Sequence, residues 1–445
     1  MLPWQWPDRF GEAPAFGVQP ARTSSPPFGE VADSKGQDYC HDGCYPPIDH
    51  GGRKARRRLP AGSAVIGAGG MDDVTGRRLR VLMLTGFPAI GGPLPKLAPL
   101  LADGLRRAGC DVAIEGWSAH TAGHEPVAAK VLGRACDLLR VHRRLRAWRP
   151  DVVYVATSHN WPALLRDIPL VTSVALGRPP LVVHLHGSES HQLGAPGRRL
   201  FKACSSLLVR RSAAVLLLST EERREWKVFC PRGRFEVVDN PFVPAAARSV
   251  AGGPGAVDER TPVLLIVARL IAEKGVFDLL EAFAMVHRQR PARLLIAGTG
   301  PAADDLERRV RVLGLDTSVD LLGYVSGVDL DRAYRGATVF VLPSYFAEGF
   351  PLAVMEAMSY GLPVVTTAIR GCADHLRPGE HALFVPARDP EALAAQLEAL
   401  LDNAPLRARM NAANVAKVAE FAPQAVVPRY AEILRGVVAA RAGFA

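Results

Sequence analysis

The feature that most constrains the fold is a rhythm of short apolar runs and amphipathic stretches, which occurs twice along the 445 residues. In the first half, the apolar runs 80–84, 152–156 and 181–185 have the length of buried strands, and the stretches between them have helical spacing. Strands that alternate with helices form a parallel sheet covered by helices on both faces. The predicted fold class is therefore α/β, with two doubly wound domains in series.

The rhythm restarts after a segment rich in Pro, Gly and Ala at 241–262, which we interpret as the linker between the domains. In open parallel sheets, ligands bind outside the carboxyl ends of the strands, so the cleft between the domains is the expected site. Four parts are predicted: a disordered tail or misassigned translation start at 1–76, a Rossmann-like domain at 77–243, a second Rossmann-like domain at 244–425, and a C-terminal helix at 426–445 that packs back towards the N-terminal domain.

The first 70 residues are rich in Pro, Gly and small polar residues and have neither helical nor alternating periodicity, which is typical of disorder. The arginine cluster at 56–58 is similar to a twin-arginine export signal, but the apolar run at 64–68 is too short and Gly-interrupted to serve as one. A zinc knuckle is the alternative for four residues of the tail, although nothing beside them could pack around a metal: Cys40, His41, Cys44 and His50.

Apolar stretches and cysteines indicate the compartment. No apolar stretch approaches the roughly 20 residues of a membrane-spanning helix. The seven cysteines are scattered without the spacing of a disulfide framework, which favours a reducing compartment. We therefore expect a cytoplasmic protein, soluble or peripheral on the inner face of the cell membrane.

The formal charge of +10 is concentrated in one part of the chain. Residues 71–245 carry 25 Lys and Arg against 15 Asp and Glu, whereas 246–445 are nearly balanced. The basic part should face something anionic. At 128–149 basic residues lie opposite an apolar face, and at 198–211 they are interleaved with leucines and Phe201. A solvated face and an anionic membrane surface both remain open for these stretches. No nucleic-acid motif is present, so no nucleic-acid partner is expected.

A pair of carboxylates brackets a predicted strand-to-helix turn. Glu348 follows the apolar run 339–342, and Pro351 suits a first helical turn, where its missing N–H costs nothing. The turn then offers a helix N-terminus that favours anions, with Glu356 on the rim that Leu352 occupies. Two carboxylates beside an anion site can bind hydroxyl groups on either side of a phosphate, an arrangement that fits a sugar and a ribose.

A second signal is Arg269 at the end of a predicted strand, followed by Lys274 and Gly275 before a helix. Two cations that converge on a helix terminus can neutralise a diphosphate leaving group in place of a metal. Taken singly, the acidic residues would be ordinary surface groups at a helix start. The combination of both signals favours the functional interpretation.

These motifs resemble the retaining glycosyltransferase family 4, also described as glycosyl transferases group 1, which has the GT-B fold. Its pattern has an Arg, then Lys-Gly, then Glu-x7-Glu, and the similarity is densest between 263 and 386. The resemblance implies that Glu348 approaches the donor hexose and Glu356 binds the ribose. It also implies that Arg269 and Lys274 hold the diphosphate, that 77–243 is the acceptor domain and that 244–425 is the nucleotide-sugar domain.

The same resemblance implies further contacts. His186, at the end of a predicted strand, would contact the donor sugar, and Tyr324 would lie near the base. Phosphate and sugar contacts would come from a group of backbone and apolar positions: Gly349, Phe350, Pro351, Leu352 and, in the glycine loop of the N-terminal domain, Gly92.

Three places leave alternatives open or depart from the family pattern. A metal site is the alternative for the polar residues around His186, namely His184, Glu189 and His191. The usual Gly-Gly before an acidic residue is replaced by Arg370-Gly371-Cys372-Ala373-Asp374, and Asn-Gly by Asn240-Pro241. We assign Asn240 no catalytic role.

The predicted function is metal-independent transfer of a hexosyl unit from a nucleotide sugar to a glycan or lipid-linked acceptor, with retention of configuration, in cell-surface polysaccharide or glycolipid synthesis. No cofactor beyond the nucleotide-sugar co-substrate is expected. The alternatives are a sugar-nucleotide epimerase, a phosphorylase, which would need a lysine motif for pyridoxal phosphate that is not seen, and a catalytically inactive scaffold of the same fold.

Overall fold

The computed structural model describes residues 77–86, 94–117, 127–177, 179–244 and 261–443. Several predictions therefore lie outside the described residues. They are the tail, its zinc knuckle, the Gly92 loop, and the central part of the linker at 245–260.

The first half contains a parallel sheet of six strands in the order β2-β1-β3-β4-β5-β6. Its elements are β1 Leu79–Thr85, α1 Leu94–Arg107, β2 Cys110–Gly116, α2 Val127–Trp148, β3 Val152–His159, α3 Trp161–Gly177, β4 Leu181–Ser188, a 3-10 turn Ser190–Leu193, α4 Arg199–Arg211, β5 Ala214–Leu217, α5 Thr220–Phe229 and β6 Phe235–Val237.

The second half repeats the arrangement with a parallel sheet in the order β12-β11-β10-β7-β8-β9. Its elements are β7 Val263–Val267, a 3-10 turn Ala272–Lys274, α6 Val276–Gln289, β8 Arg293–Ala297, α7 Ala303–Val312, β9 Val319–Gly323, α8 Gly327–Gly336, β10 Val339–Leu342, α9 Leu352–Ser359, β11 Val364–Thr367, α10 Arg370–His375, β12 Ala382–Val385, α11 Pro390–Asp402, α12 Ala404–Val418, a 3-10 turn Ala419–Phe421 and α13 Pro423–Ala442.

The predicted α/β class with two doubly wound sheets is confirmed. Periodicity underestimated the length of β3, since the strand expected at 152–156 continues to His159. It missed α3, because that helix is apolar on nearly all sides and has Pro169 inside it, so no amphipathic stripe marks it.

The last helix, α13, packs against the first half of the chain. Gly104 of α1 allows the close approach, because a Cβ there would lie 2.5 Å from a methyl group of Val427. The Tyr430 hydroxyl donates to the Asp239 carbonyl at 3.0 Å, and the Arg435 guanidinium donates to the Ala108 carbonyl at 2.5 Å. The chain thus crosses back after completing its second sheet.

Each sheet has one point at which the strand order reverses. In the first sheet β2 lies on one side of β1 and β3 on the other, and in the second β8 and β10 flank β7 in the same way. Loops that leave the carboxyl ends of two such strands diverge and open a crevice between them. Side chains that bind a ligand are therefore expected in these two crevices.

No helix within the described ranges is both long and apolar enough to cross a membrane.

Candidate active site

The crevice of the second sheet brings together the two motifs that the sequence separates by more than seventy positions. Lys274 follows β7 and Glu348 follows β10, and these strands are neighbours in the sheet. The Glu273 carbonyl accepts hydrogen bonds from the backbone N–H groups of Tyr345, at 2.8 Å, and Phe346, at 3.1 Å. The two loops are therefore joined by backbone bonds before any side chain is considered.

The glycine that follows Lys274 allows its loop to approach the end of β10 closely. Gly275 has φ of 71°, and a Cβ there would lie 2.3 Å from the Pro343 carbonyl oxygen, so another residue would meet both strain and a backbone clash. The Lys274 side chain is buried and forms an ion pair with Glu348. Its Nζ also lies 5.1 Å from the centre of the Phe346 ring, a cation–π contact.

The turn after Glu348 leads directly into α9. Pro351 caps the helix, and its carbonyl accepts from the N–H groups of Val354 at 3.0 Å and Met355 at 3.2 Å. Gly349 packs against the first half of the chain, because a Cβ there would lie 2.4 Å from the Leu218 Cβ. The helix N-terminus, with its preference for negative charge, thus opens beside the Lys274–Glu348 pair.

Glu356 lies one turn further along α9 and is partly buried. Its Oε2 accepts a hydrogen bond from the Tyr334 hydroxyl at 3.0 Å. The Tyr334 ring stacks on Tyr360, with centroids 5.1 Å apart and planes 8° apart, so the donor of this bond is fixed in place. Tyr334 of α8 therefore orients the Glu356 carboxylate.

Arg269 and Tyr324 are placed differently from the buried lysine. Arg269 is exposed in the loop after β7 and forms no ion pair with any residue that the structure describes. The Tyr324 side chain follows β9 and is 74% exposed. Both are free to turn towards a ligand above the carboxyl edge of the sheet. Of the other predicted contact positions, Phe350 and Pro351 are buried, whereas Leu352 is half-buried.

His186 lies in the crevice of the first sheet, where it lines a pocket with Thr85, Asn240 and Tyr430. Thr85 Oγ1, His186 Nδ1 and Asn240 Oδ1 are all buried without a hydrogen-bond partner among the described residues. Buried polar atoms are nearly always hydrogen-bonded, so these three are oriented for a ligand or water. Asn240, which we assigned no role from the sequence, therefore shares the pocket.

The first crevice is electrically neutral. Burial lowers the pKa of His186 to about 3, so its imidazole is uncharged at neutral pH. The neighbouring His184 ring lies 3.8 Å away, and burial lowers its pKa as well. The Tyr154 hydroxyl lies 2.6 Å from His184 Nδ1. Among the described residues, no three His, Cys, Asp or Glu side chains lie close enough to hold one metal ion.

The sequence missed two features of the second crevice. The direct contact between Lys274 and Glu348 was not expected, because their roles had been assigned separately. The helix α10, which replaces the family's Gly-Gly segment, packs its Gly371 against the turn, where a Cβ would lie 2.4 Å from the Phe350 nitrogen. The departure from Gly-Gly was visible, but only the fold shows what it contacts.

Chemically, the second crevice can bind an anion between two groups that accept hydroxyl hydrogen bonds. The helix N-terminus and two cations suit a diphosphate, and the two glutamates suit the sugar units on either side.

Family comparisons agree with this arrangement. A model of the glycosyl transferases group 1 family matches residues 253–416, and one of glycosyltransferase family 4 matches 99–245. The chain is 31% identical over 304 residues to a glycogen synthase of Mycobacterium tuberculosis, covering 65% of this chain and 69% of that enzyme. It is 31% identical over 307 residues to an alpha-D-kanosaminyltransferase of Streptomyces kanamyceticus, covering 64% and 76% of the two chains.

Solved structures show the same fold. A sucrose-phosphate synthase of Thermosynechococcus elongatus has a TM-score of 0.66 at 19% identity and covers 82% of this chain and 100% of its own. An Anabaena protein solved in complex with UDP and glucose has a TM-score of 0.59 at 18% identity, covering 80% and 99%. The predicted GT-B fold is confirmed. The chain belongs to the group 1, family 4 glycosyltransferases and is a transferase that uses a nucleotide sugar.

Proposed function

We propose that this enzyme transfers a hexosyl unit from its nucleotide sugar to a hydroxyl group of a glycan or lipid-linked acceptor, with retention of configuration, in the synthesis of cell-surface polysaccharide or glycolipid. The observation that carries the proposal is the Lys274–Glu348 pair beside the N-terminus of α9. It combines a cation, a carboxylate and backbone donors within one crevice.

In this proposal, the donor diphosphate lies across the start of α9. Lys274 leaves Glu348 and joins Arg269 on the phosphate oxygens, which stabilises the charge that develops there. Glu348 then accepts hydrogen bonds from the hexose, and Glu356 accepts them from the ribose. The glycine loop that includes Gly92 would approach the phosphates from the first half.

The bond between the anomeric carbon and the phosphate oxygen breaks on the face that the acceptor hydroxyl attacks. The new glycosidic bond forms on the same face, and the hydroxyl proton passes to the departing phosphate oxygen. Glu348 orients the sugar and does not itself attack it. His186 is neutral, so its part is to hold the donor sugar by hydrogen bonding and not to exchange a proton.

A donor panel tests the proposal. Turnover of UDP-glucose, UDP-N-acetylglucosamine, GDP-mannose and ADP-glucose would be measured with and without hydroxyl acceptors, and the anomeric configuration of the product read by NMR. Transfer with a retained configuration supports the proposal. An inverted product, an epimerised nucleotide sugar or no turnover of any donor would contradict it.

We further propose that the first half binds an anionic membrane surface that carries the acceptor. The helices α2, α3 and α4 form one layer over the first sheet, and each exposes a leucine: Leu139 is 59% exposed, Leu165 68% and Leu200 67%. Two of these helices, α2 and α4, also carry exposed arginines: Arg140, Arg143, Arg146, Arg199, Arg210 and Arg211. Phe201 and Leu208, which the sequence pattern grouped with these leucines, are instead buried in the core.

Sedimentation with vesicles tests the membrane proposal. Binding to vesicles containing phosphatidylglycerol at low salt, weakened at high salt and absent with neutral vesicles, is expected, because exposed charges are screened within about 10 Å at 0.1 M salt. Leu200→Glu should weaken binding. Equal sedimentation with neutral and anionic vesicles, or none at low salt, would contradict the proposal.

A further inference from the structure

The short helix α10 makes a row of polar contacts with the first half of the chain. Asp374 accepts from the Thr220 backbone N–H at 2.7 Å and from the Thr220 hydroxyl at 2.5 Å. His375 Nε2 lies 2.9 Å from Asp239 Oδ1. Thr220 and Asp239 both belong to the first half. The helix α10 therefore follows a strand of the second sheet but contacts the first half.

Arg370, the first residue of α10, makes the most extensive of these contacts. Its side chain is 5% exposed, and its Nη2 lies 2.9 Å from Glu225 Oε2. Its Nη1 donates to the Ser190 hydroxyl at 3.3 Å, and its backbone N–H donates to Glu221 Oε2 at 3.0 Å. The side-chain partners of this guanidinium all come from the other half among the described residues, so separation of the halves would break all of these contacts.

The backbone of Arg370 shows that this side chain is held against a local preference. Its φ is 48°, in the left-handed region that glycine adopts freely and an L-residue with a side chain does not. The resemblance places a glycine at this position. A strained backbone persists where the surrounding contacts outweigh the strain, and the side-chain contacts of Arg370 include the cross-half ion pairs.

α10 also supports the turn that follows Glu348. A Cβ on Gly371 would lie 2.4 Å from the Phe350 nitrogen and 2.8 Å from the Gly349 carbonyl carbon, so the two backbones touch. The Phe350 ring lies 5.1 Å from the His375 ring. Gly349 in turn contacts Leu218 of the first half. Contacts that hold α10 against α5 therefore also hold the turn after Glu348 in place.

We propose that Arg370 is a positioning residue that locks the two halves together and seats the Glu348 turn before the donor binds. Its kinetic consequence rests on the proposed donor role of that turn. If the two halves are already assembled, none of the free energy of donor binding is used to assemble them. In a protein without this lock, the apparent affinity for the donor is the intrinsic affinity multiplied by the fraction of molecules that are assembled.

Arg370→Gly tests the proposal, because glycine accepts a φ of 48° and the variant removes the guanidinium while relieving backbone strain. Arg149→Gly is the matched control, since Arg149 also has a φ of 48° but is exposed between α2 and β3. Arg370→Lys keeps a positive charge at this position but lacks the planar, multidentate guanidinium group.

The measurements are hydrogen exchange of the ligand-free protein and steady-state kinetics with the nucleotide sugar of highest turnover in the donor panel. In Arg370→Gly we expect at least tenfold faster exchange in residues 218–229 and 349–352. We also expect about a tenfold higher donor KM with kcat within about twofold of wild type. Arg370→Lys should recover part of the KM, and Arg149→Gly should match wild type.

Unchanged exchange and KM in Arg370→Gly would overturn the proposal, as would a fall in kcat at constant KM. Failure of the proposed donor site is a separate result: it would appear as turnover retained in Glu348→Ala. The exchange measurement uses no donor, so it decides whether Arg370 locks the halves independently of that outcome.

Discussion

The two halves of the chain have the same sheet architecture but opposite chemistry in their crevices. The second crevice is charged, and its lysine and glutamate form an ion pair with each other. The first is neutral, with Thr85 Oγ1, His186 Nδ1 and Asn240 Oδ1 buried and without a hydrogen-bond partner within the described residues. A site that binds a diphosphate needs positive charge, whereas a site that binds hydroxyl groups needs only free hydrogen-bond donors and acceptors.

Removing the cation of the second crevice should have the largest effect. Lys274→Ala should lower kcat/KM by about a thousandfold, because one well-placed group on a developing oxyanion contributes about 10² to 10³ in rate. Lys417→Ala is the control, since Lys417 is a half-buried lysine of the same half that forms an ion pair with Glu420. Steady-state kinetics of both variants would check this. If the first half supplied the charge stabilisation, the two variants would behave alike.

Glu222 lies on α5 at its contact with α10, which we call the junction, and should make the stability of the protein depend on pH. Glu222 lies next to Arg370 and Glu225, and burial raises its pKa to about 7. The folded protein therefore keeps this proton above pH 4.5, where the unfolded chain loses it, and the favourable contribution is fully present below 4.5 and lost as pH rises through 7.

Glu222→Gln should accordingly raise the free energy of unfolding at pH 8 by about 2 to 3 kcal/mol, with little change at pH 4.5. Denaturant unfolding at both pH values would check this. Equal effects of the substitution at the two pH values would show that Glu222 ionises normally and that the junction is not as dry as its burial indicates.

The orientation of Glu356 should make a smaller contribution. Tyr334→Phe removes the hydroxyl that donates to Glu356, and a hydrogen bond to a charged group contributes about 1.5 to 3 kcal/mol at most. We expect a donor KM about fivefold higher with kcat nearly unchanged. Tyr360→Phe is the control, because its hydroxyl donates to Asp331 instead. Equal KM values in the two variants would remove Glu356 from donor binding.

The smallest expected effect is in the first crevice. With a pKa of about 3, His186 should add no inflection to the pH profile of kcat/KM between pH 5 and 8. His186→Gln should lower the profile without changing its shape. A limb near pH 6.5 that disappears in this variant would mean that the imidazole titrates, and the contrast between a charged and a neutral crevice would be lost.

The sequence predicted the second crevice better than the first for a physical reason. Glu348, Glu356, Arg269 and Lys274 lie on two short segments whose spacing is fixed by one strand-to-helix turn each, so the pattern is local. Asn240 and Tyr430 reach the first crevice only because α13 packs back on α1 and the chain crosses beside β4. No local spacing encodes that contact.

The junction was the least predictable part. From the sequence, Arg370 is a departure from Gly-Gly, and its partners Glu221 and Glu225 are acids on α5, of which Glu221 lies in the first turn. Acidic residues at a helix start usually serve the helix itself. Only the packing of α10 on α5 shows that these acids neutralise a buried arginine from the other half.

Turnover of Glu348→Ala tests the central claim most directly, namely that the charged crevice grips the donor sugar. We predict a fall in kcat/KM of at least about 10²-fold, with the unfolding midpoint and hydrogen exchange of the core strands unchanged. Glu380→Ala, in an exposed loop of the same half, should keep full activity. Near-wild-type turnover in Glu348→Ala would contradict the account.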